Sequence, residues 1–150
     1  MLTPRTVNGA MPPERRCLID SSVWIDFLRK RATRARDLVV ELAAQPKMIV
    51  TSEPIVMELL AGANAEALPR LERTLAGFVN LGVDPAIDFK GAAEISRAVR
   101  ADGHRVRSSM DCLIAAVAVR HKAVLIHKDV DYVRIAEVVP ALRAEAIFDS

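Results

Sequence analysis

Four acidic residues occupy the positions in this sequence that are best placed to do chemistry. Asp20 ends a short apolar run and Asp129 closely follows another, while Glu58 and Asp111 lie in the first turns of predicted helices. In an open parallel sheet, ligands bind in the crevice beyond the carboxyl ends of the strands, so both aspartates should point into that crevice. The two helix starts could border the same edge. We therefore expect the four carboxylates to meet.

A cluster of four carboxylates requires cations. Like charges raise each other's pKa, so the four groups cannot all ionise without neutralisation. Ligands that are all oxygen suit Mg²⁺ or Mn²⁺, with a substrate phosphate completing the coordination shell. Such a site activates a water molecule and stabilises the leaving oxygen of an in-line phosphoryl displacement. Each acid taken alone has another interpretation, as a helix N-cap or a turn residue.

Short apolar segments that alternate with amphipathic helices predict the elements that position these acids. Strands are predicted at Leu18–Ile19, Met48–Val50, Phe78–Val83, Ala123–Ile126 and Ala146–Phe148. Helices are predicted from Ser22, with Ser21 or Ser22 as the N-cap, at Thr33–Ala44, from Ser52 to Gly62, and at Ala65–Ala76, Asp88–Ala101, Met110–His121 and Tyr132–Val138. This alternation indicates an α/β fold with a mainly parallel sheet and helices on both faces.

Composition limits the class of protein. A chain of 150 residues with 51% hydrophobic content is typical of one compact domain. We assign residues 17–150 to this domain and residues 1–16 to a disordered leader. Cys17 and Cys112 lie far apart in apolar runs, which favours two reduced thiols and a cytoplasmic protein. The longest apolar run, Leu113–Val119, is far too short to span a membrane.

Four motifs, in order along the chain, carry a resemblance to a known family. They read Leu-Ile-Asp20-Ser-Ser-Val-Trp, Thr-Ser-Glu-Pro-Ile-Val-Met-Glu58-Leu-Leu-Ala-Gly, Asp111-Cys-Leu-Ile-Ala-Ala and Leu-Ile-His-Lys-Asp129-Val-Asp131-Tyr. Together they resemble the PIN-domain ribonucleases, and most closely the VapC-type toxins of bacterial toxin–antitoxin pairs. The resemblance runs from about Cys17 to Val138.

The resemblance implies a fold, an activity and a set of site residues. The fold is a PIN-like parallel sheet of about four to five strands, and the activity is Mg²⁺-dependent RNA endonuclease cleavage, with Mn²⁺ as a substitute, that leaves a 5′ phosphate. The four catalytic acids map onto Asp20, Glu58, Asp111 and Asp129. Of these, Asp20, Asp111 and Asp129 would hold the metal, while Glu58 ligates it or orients the attacking water. Asp131 could take the part of Asp129.

Other polar residues receive supporting roles. Ser22 matches the family's small hydroxylated residue, and both Ser22 and Ser52 could hydrogen-bond a carboxylate or a water at the metal. His127 stands where many relatives have threonine or serine, so the role of that hydroxyl is not assigned to this position. Arg105 and Arg107 could contact RNA phosphates, which position a substrate without reading its sequence. The alternative for that loop is a solvated basic turn.

The resemblance also implies partners: an RNA substrate, a second copy in a homodimer and a cognate VapB-type antitoxin, with no membrane. Two other enzyme classes compete with a toxin, a housekeeping PIN nuclease in RNA maturation and a metal-dependent phosphatase. The phosphatase is disfavoured because Ser22 stands where a second acid is expected. The presence of all four acids speaks against a catalytically silent binding module.

Overall fold

The computed structural model describes residues 15–149 of the chain. The predicted leader, residues 1–16, lies almost wholly outside the described residues. Arg16, which is described, donates from Nη2 to the backbone oxygen of His121 at 2.9 Å. Among residues 15–149, no helix has the length and apolar character needed to cross a membrane.

A five-stranded parallel sheet lies at the centre of the fold. Its strands are β1 (Cys17–Ile19), β2 (Ile49–Thr51), β3 (Val79–Asn80), β4 (Val124–His127) and β5 (Arg143–Ala146). The spatial order is β3-β2-β1-β4-β5, and every neighbouring pair is parallel. The predicted α/β class, strand number and parallel sheet are therefore confirmed.

Seven α-helices among the described residues flank the sheet on both faces. They are α1 (Ser21–Leu28), α2 (Arg34–Ala43), α3 (Glu53–Gly62), α4 (Leu68–Ala76), α5 (Asp88–Ala101), α6 (Ser109–His121) and α7 (Val130–Val138). A short 3₁₀ turn at Pro46–Met48 leads into β2. The apolar sequence of α6 predicts a buried helix, and its residues Cys112 to Ala118 are all buried. Cys112 and Cys17 are free thiols, as expected.

The central strand β1 determines where the acids meet. All three of its residues are fully buried, as in a parallel sheet covered on both faces. Cys17 aligns with Val124 and Ile19 with Ile126, so β1 and β4 end at the same level. The chain adds β2 on one side of β1 and later returns to add β4 on the other. The carboxyl ends of β1 and β4 thus form the switch point, where open α/β sheets bind ligands.

Two predicted strands differ from the structure because both are edge strands. The predicted strand Phe78–Val83 is reduced to β3, which pairs only at Val79 and Asn80, because β2 ends at Thr51 and offers no further partners. The last strand lies at Arg143–Ala146, not at Ala146–Phe148. With a neighbour on one side only, β5 tolerates charged residues, so its sequence lacks the apolar run that predicted a strand.

Helix boundaries differ from the predictions by a few residues, for example in α7, which begins at Val130 rather than at Tyr132. The N-cap of α1 is Asp20, not Ser21 or Ser22, because the Asp20 carboxylate accepts a hydrogen bond from the backbone N–H of Ser22. Helix α4 begins at Leu68, three residues after the predicted start. The preceding residues form a turn in which the Asn64 side chain accepts a bond from the backbone N–H of Ala67.

A buried charged residue ties the end of α1 to the end of β4. Asp26 is 1% exposed and accepts hydrogen bonds from Lys128 Nζ at 2.6 Å and Thr33 Oγ1 at 2.9 Å. Arg31 Nη1 donates a third at 3.2 Å. Burial alone would raise the pKa of Asp26, but the bonds from Lys128 and Thr33 outweigh it and lower the pKa. Asp26 therefore stabilises the segment that leads into Asp129.

Replacement of Asp26 by asparagine should destabilise the fold in a pH-dependent way. Near pH 7 we expect a loss of about 2 kcal/mol in the free energy of unfolding, because Lys128 loses its buried counter-ion. A carboxyl group whose pKa is lowered by folding stabilises the folded state at pH values above its ordinary pKa. This stabilisation is lost as pH falls through the pKa of the folded state, so the stability difference between variant and wild type should shrink below about pH 4. Urea unfolding measures it.

Glu94→Gln, on the exposed side of α5, provides the control and should change stability little at either pH. An Asp26→Asn variant as stable as wild type near neutral pH would contradict the role given to this cluster.

Candidate active site

Helix N-termini position three of the predicted acids at the switch point. Asp20 is the N-cap of α1 and Asp129 is the N-cap of α7, while Asp111 lies in the first turn of α6. Glu58 lies in the middle of α3, the helix that follows β2. Unpaired N–H groups and the helix dipole make each N-terminus favourable for a carboxylate. The fold therefore supplies partial positive charge where the acids converge.

Asp20 is held rigidly by three donors. Its Oδ2 accepts hydrogen bonds from the Ser22 backbone N–H at 3.0 Å and from Ser22 Oγ at 2.5 Å. Its Oδ1 accepts a bond from the hydroxyl of Tyr132 at 2.9 Å. Ser22 Oγ in turn accepts from the backbone N–H of Lys128 at 3.2 Å, which links α1 to the end of β4. The predicted contact between Ser22 and a carboxylate is present.

Tyr132 connects two of the acids across the site. Its side chain is fully buried, and its hydroxyl lies 2.9 Å from Asp20 Oδ1 and 3.3 Å from Asp111 Oδ1. A phenol carries one proton, so it favours one carboxylate at a time, and the shorter distance selects Asp20. Burial and the charges of Asp20 and Asp111 raise the pKa of Tyr132, which keeps the hydroxyl protonated. The tyrosine thus sets the separation of the two acids.

Asp111, Asp129 and Asp131 form a compact group of acids. Each offers a carboxylate oxygen, and these oxygens all lie within 4.8 Å of one another. Asp129 Oδ1 accepts from the backbone N–H of Asp131 at 2.9 Å. Asp131 is 1% exposed, and its Oδ1 is buried with no hydrogen-bond partner among the described residues. A buried carboxylate oxygen without a donor is costly unless a cation approaches it.

Arg107 neutralises part of this group. Its Nη2 donates to Asp129 Oδ1 and its Nε donates to Asp131 Oδ2, both at 3.1 Å. Its backbone N–H also donates to Asp131 Oδ2, at 3.2 Å. Of the two arginines predicted to contact RNA phosphates, Arg105 is exposed, whereas the exposed side chain of Arg107 is engaged with the acids.

Glu58 approaches the group from α3. It is exposed, and its Oε2 accepts a hydrogen bond at 3.2 Å from the hydroxyl of Ser21, which is buried. Partial desolvation of its carboxyl and the charge of Asp20 raise the pKa of Glu58, while the bond from Ser21 acts in the opposite direction. Glu58 is thus electrostatically coupled to Asp20.

Asp111 combines burial with repulsion from its acidic neighbours. Burial first, and then the charges of Asp20 and Asp129, raise the pKa of Asp111 from 3.8 to about 7. Without added cations the site therefore retains a proton near neutral pH, because Arg107 does not balance the carboxylates. A dense set of oxygen donors, one of them buried and unpaired, fits a hard divalent cation.

One predicted supporting residue does not join the network. The Ser52 hydroxyl is fully buried, but it makes no hydrogen bond to the acids and has no partner among residues 15–149. Ser52 occupies the N-cap position of α3 without a side-chain capping bond.

The structure adds two residues that the sequence did not identify, Tyr132 and Ser21. Tyr132 follows Asp131 directly, yet nothing local indicates that its hydroxyl reaches Asp20, 112 positions away. Ser21 lies beside Asp20 but bonds to Glu58. His127, which replaces the hydroxyl of many relatives, is buried and accepts from the backbone N–H of Asp129 through Nδ1 at 3.2 Å. Burial lowers the pKa of His127, consistent with a neutral ring.

Comparison with known proteins places this geometry in a family. The family model described as PIN domain matches residues 17–138. Ribonuclease VapC11 of Mycobacterium tuberculosis is 45% identical over 126 residues, which cover 81% of this chain and 92% of that protein. The family-model match spans all the acids of the site.

Solved structures share the fold at lower identity. The crystal structure of DNA-bound VapBC from Salmonella typhimurium contains a chain with a TM-score of 0.64 and 19% identity, covering 89% of this chain and 98% of that chain. In VapBC2 from Rickettsia felis, bound to a promoter DNA fragment, the TM-score is 0.67 at 16% identity, covering 87% and 97% of the two chains. With the family model and the 45% identical relative, these matches show that the protein belongs to the PIN-domain family and, within it, to the VapC ribonucleases.

Proposed function

We propose that this protein is a metal-dependent endoribonuclease that acts as the toxin of a toxin–antitoxin pair. The observation that carries the proposal is the convergence of five carboxylates at the switch point of a VapC-family sheet: Asp20, Glu58, Asp111, Asp129 and Asp131. So dense an acidic cluster opposes binding of a phosphodiester unless cations intervene. The same cluster with a divalent cation attracts phosphate and supports hydrolysis.

Mg²⁺ is the proposed ion, with Mn²⁺ as a substitute, because both prefer oxygen ligands. The residues that would hold it are Asp20, Asp111, Asp129 and Asp131. Asp131 enters this set because its Oδ1 is buried and unpaired, whereas Asp129 contributes from the helix N-terminus. Both acids of the Asp129/Asp131 alternative are therefore proposed as ligands. When bound, the cation would supply charge stabilisation for the phosphate and for the leaving oxygen.

The protein's own side chains perform the remaining tasks. Ser22 and Tyr132 fix both oxygens of Asp20, which limits the reorganisation needed on binding. Glu58 is held by Ser21 through Oε2, and this leaves Oε1 available to orient a water molecule. Its raised pKa makes its carboxylate a stronger base than an ordinary glutamate, so Glu58 can accept the proton of the attacking water at that oxygen.

The substrate and partners follow from the family. RNA is the proposed substrate, and Arg105, exposed beside the site, is a proposed contact for its phosphates. The matched solved structures carry the name VapBC, and we propose that this chain likewise binds a VapB-type antitoxin. A homodimer and a cytoplasmic location complete the proposal.

Loss of single acids should abolish cleavage. We expect Asp20→Asn and Asp111→Asn to reduce RNA cleavage with Mg²⁺ or Mn²⁺ by at least about 100-fold, because each removes a negative ligand at the ion. Cleavage of a structured RNA by the purified protein, with and without chelator, provides the measurement. Asp37→Asn, exposed on α2, is the matched control. Metal-independent cleavage, or full activity in both variants, would refute the metal assignment.

The raised pKa of Asp111 predicts a stability difference that metal reverses. In chelator near pH 8, ionised Asp111 repels its neighbours, so Asp111→Asn should be more stable than wild type by roughly 2–4 kcal/mol. The destabilisation of wild type develops as pH rises from about 3.8, the ordinary pKa, to about 7, so the difference should be much smaller near pH 5 and vanish below about pH 4. Urea unfolding gives both values.

With excess Mg²⁺ near pH 8, wild type should become the more stable of the two proteins, because the ion binds the folded wild type preferentially. A variant that is less stable than wild type in chelator at every pH would show that Asp111 is a purely structural residue.

Expression in bacteria tests the toxin role separately from the chemistry. Induction of the chain alone should arrest growth, co-expression with the neighbouring gene product should restore it, and Asp20→Asn should be harmless. Cleavage in vitro without growth arrest would instead favour the housekeeping nuclease.

A further inference from the structure

Arg107 has an exposed side chain that hydrogen-bonds two of the proposed metal ligands, Asp129 and Asp131. It lies in the loop between Ala101, the end of α5, and Ser109, the start of α6. The side chain is 73% exposed, while its partners Asp129 and Asp131 are 25% and 1% exposed. The guanidinium therefore covers the acids from the solvent side.

The hydrogen bonds of Arg107 saturate two carboxylate oxygens. Asp129 Oδ1 accepts from the Asp131 backbone N–H at 2.9 Å and from Arg107 Nη2 at 3.1 Å. Asp131 Oδ2 accepts from the Arg107 backbone N–H at 3.2 Å and from Arg107 Nε at 3.1 Å. Each oxygen thus has one backbone donor and one guanidinium donor, which together fill its two lone pairs.

Departure of the guanidinium would open one lone pair on each oxygen without disturbing the backbone bonds. The two acids would keep their positions through the N–H groups of Asp131 and Arg107. Because the arginine side chain is largely in solvent, its ion pairs are worth little and are readily exchanged. A doubly charged ion beside the two carboxylates would also repel the guanidinium.

We propose that Arg107 is a built-in counter-cation, which holds Asp129 and Asp131 in the metal-free protein and competes with the divalent ion for them. Metal loading then exchanges the guanidinium for the ion and releases Arg107 to the solvent beside the substrate. The inference rests on the proposed metal site, and it assigns Arg107 a positioning role that its neighbour Arg105 does not share.

Two nearby cationic residues, Lys128 and Arg105, are placed differently from Arg107. Lys128 precedes Asp129 directly, but its Nζ lies 2.6 Å from Asp26 and 3.6 Å from Asp149, so it is directed away from the site acids. Arg105 lies in the same loop and is exposed. Arg105 therefore offers a control with equal charge and nearly equal sequence position.

Isothermal titration calorimetry of the full-length chain with Mn²⁺ alone, at low ionic strength, tests the proposal. Arg107→Gln should bind Mn²⁺ about fivefold more tightly than wild type, because the competing ion pairs are gone. Arg105→Gln removes the same charge and should stay within about twofold of wild type. Arg107→Lys keeps the charge but loses the fork of donors, and its affinity should lie between those of wild type and Arg107→Gln.

The outcomes separate the inference from the function on which it rests. Equal or weaker Mn²⁺ binding by Arg107→Gln, with normal binding by wild type, overturns the competition and leaves the metal site intact. Equal tightening in Arg105→Gln also overturns it, since a general charge effect would then be responsible. Failure of wild type to bind Mn²⁺ overturns the proposed metal site and, with it, the inference.

Discussion

Repulsion among carboxylates is the constraint on which the rest of this structure depends. Five acids meet at one edge of the sheet, and burial together with the charges of Asp20 and Asp129 raises the pKa of Asp111 to about 7. A protein tolerates such a cluster only when the surrounding structure supplies compensation. Here the compensation comes from the N-termini of α1, α6 and α7, from neutral hydroxyl donors and from one arginine. None of these fully neutralises the site, which leaves it suited to bind cations.

The sheet topology makes this concentration of charge possible. Because β4 lies directly beside β1, the segments that leave both strands emerge at the same place, and each begins a helix capped by an aspartate. The same two segments are joined by the ion pair between Asp26 and Lys128 and by the hydrogen bond from the Lys128 backbone N–H to Ser22. The polar groups that support the acids thus come from segments about one hundred positions apart in the sequence. The bonds between these segments resist local opening of the site.

Much of the site could be predicted because most of its acids follow strands or begin helices; Glu58, in the middle of α3, is the exception. The ends of apolar runs revealed Asp20 and Asp129, and helical patterns placed Glu58 and Asp111 near the same edge. The bonds that orient the acids could not be predicted in this way. The reach of Tyr132 to Asp20 and of Ser21 to Glu58 depends on packing between distant elements, which hydrophobic periodicity does not encode. Ser52 shows the converse, a hydroxyl in a suitable sequence position that has no hydrogen-bond partner among the described residues.

The position of Tyr132 gives the protein an intrinsic spectroscopic probe of its site. The chain contains one tyrosine and one tryptophan. The phenol is hydrogen-bonded to a carboxylate of the site, whereas Trp24 is packed in the core against Phe27 and Phe78. Near-ultraviolet absorption by the phenol therefore senses charge at the acids, while the indole fluorescence senses the integrity of the fold. Occupancy and unfolding can be followed independently in the unlabelled protein.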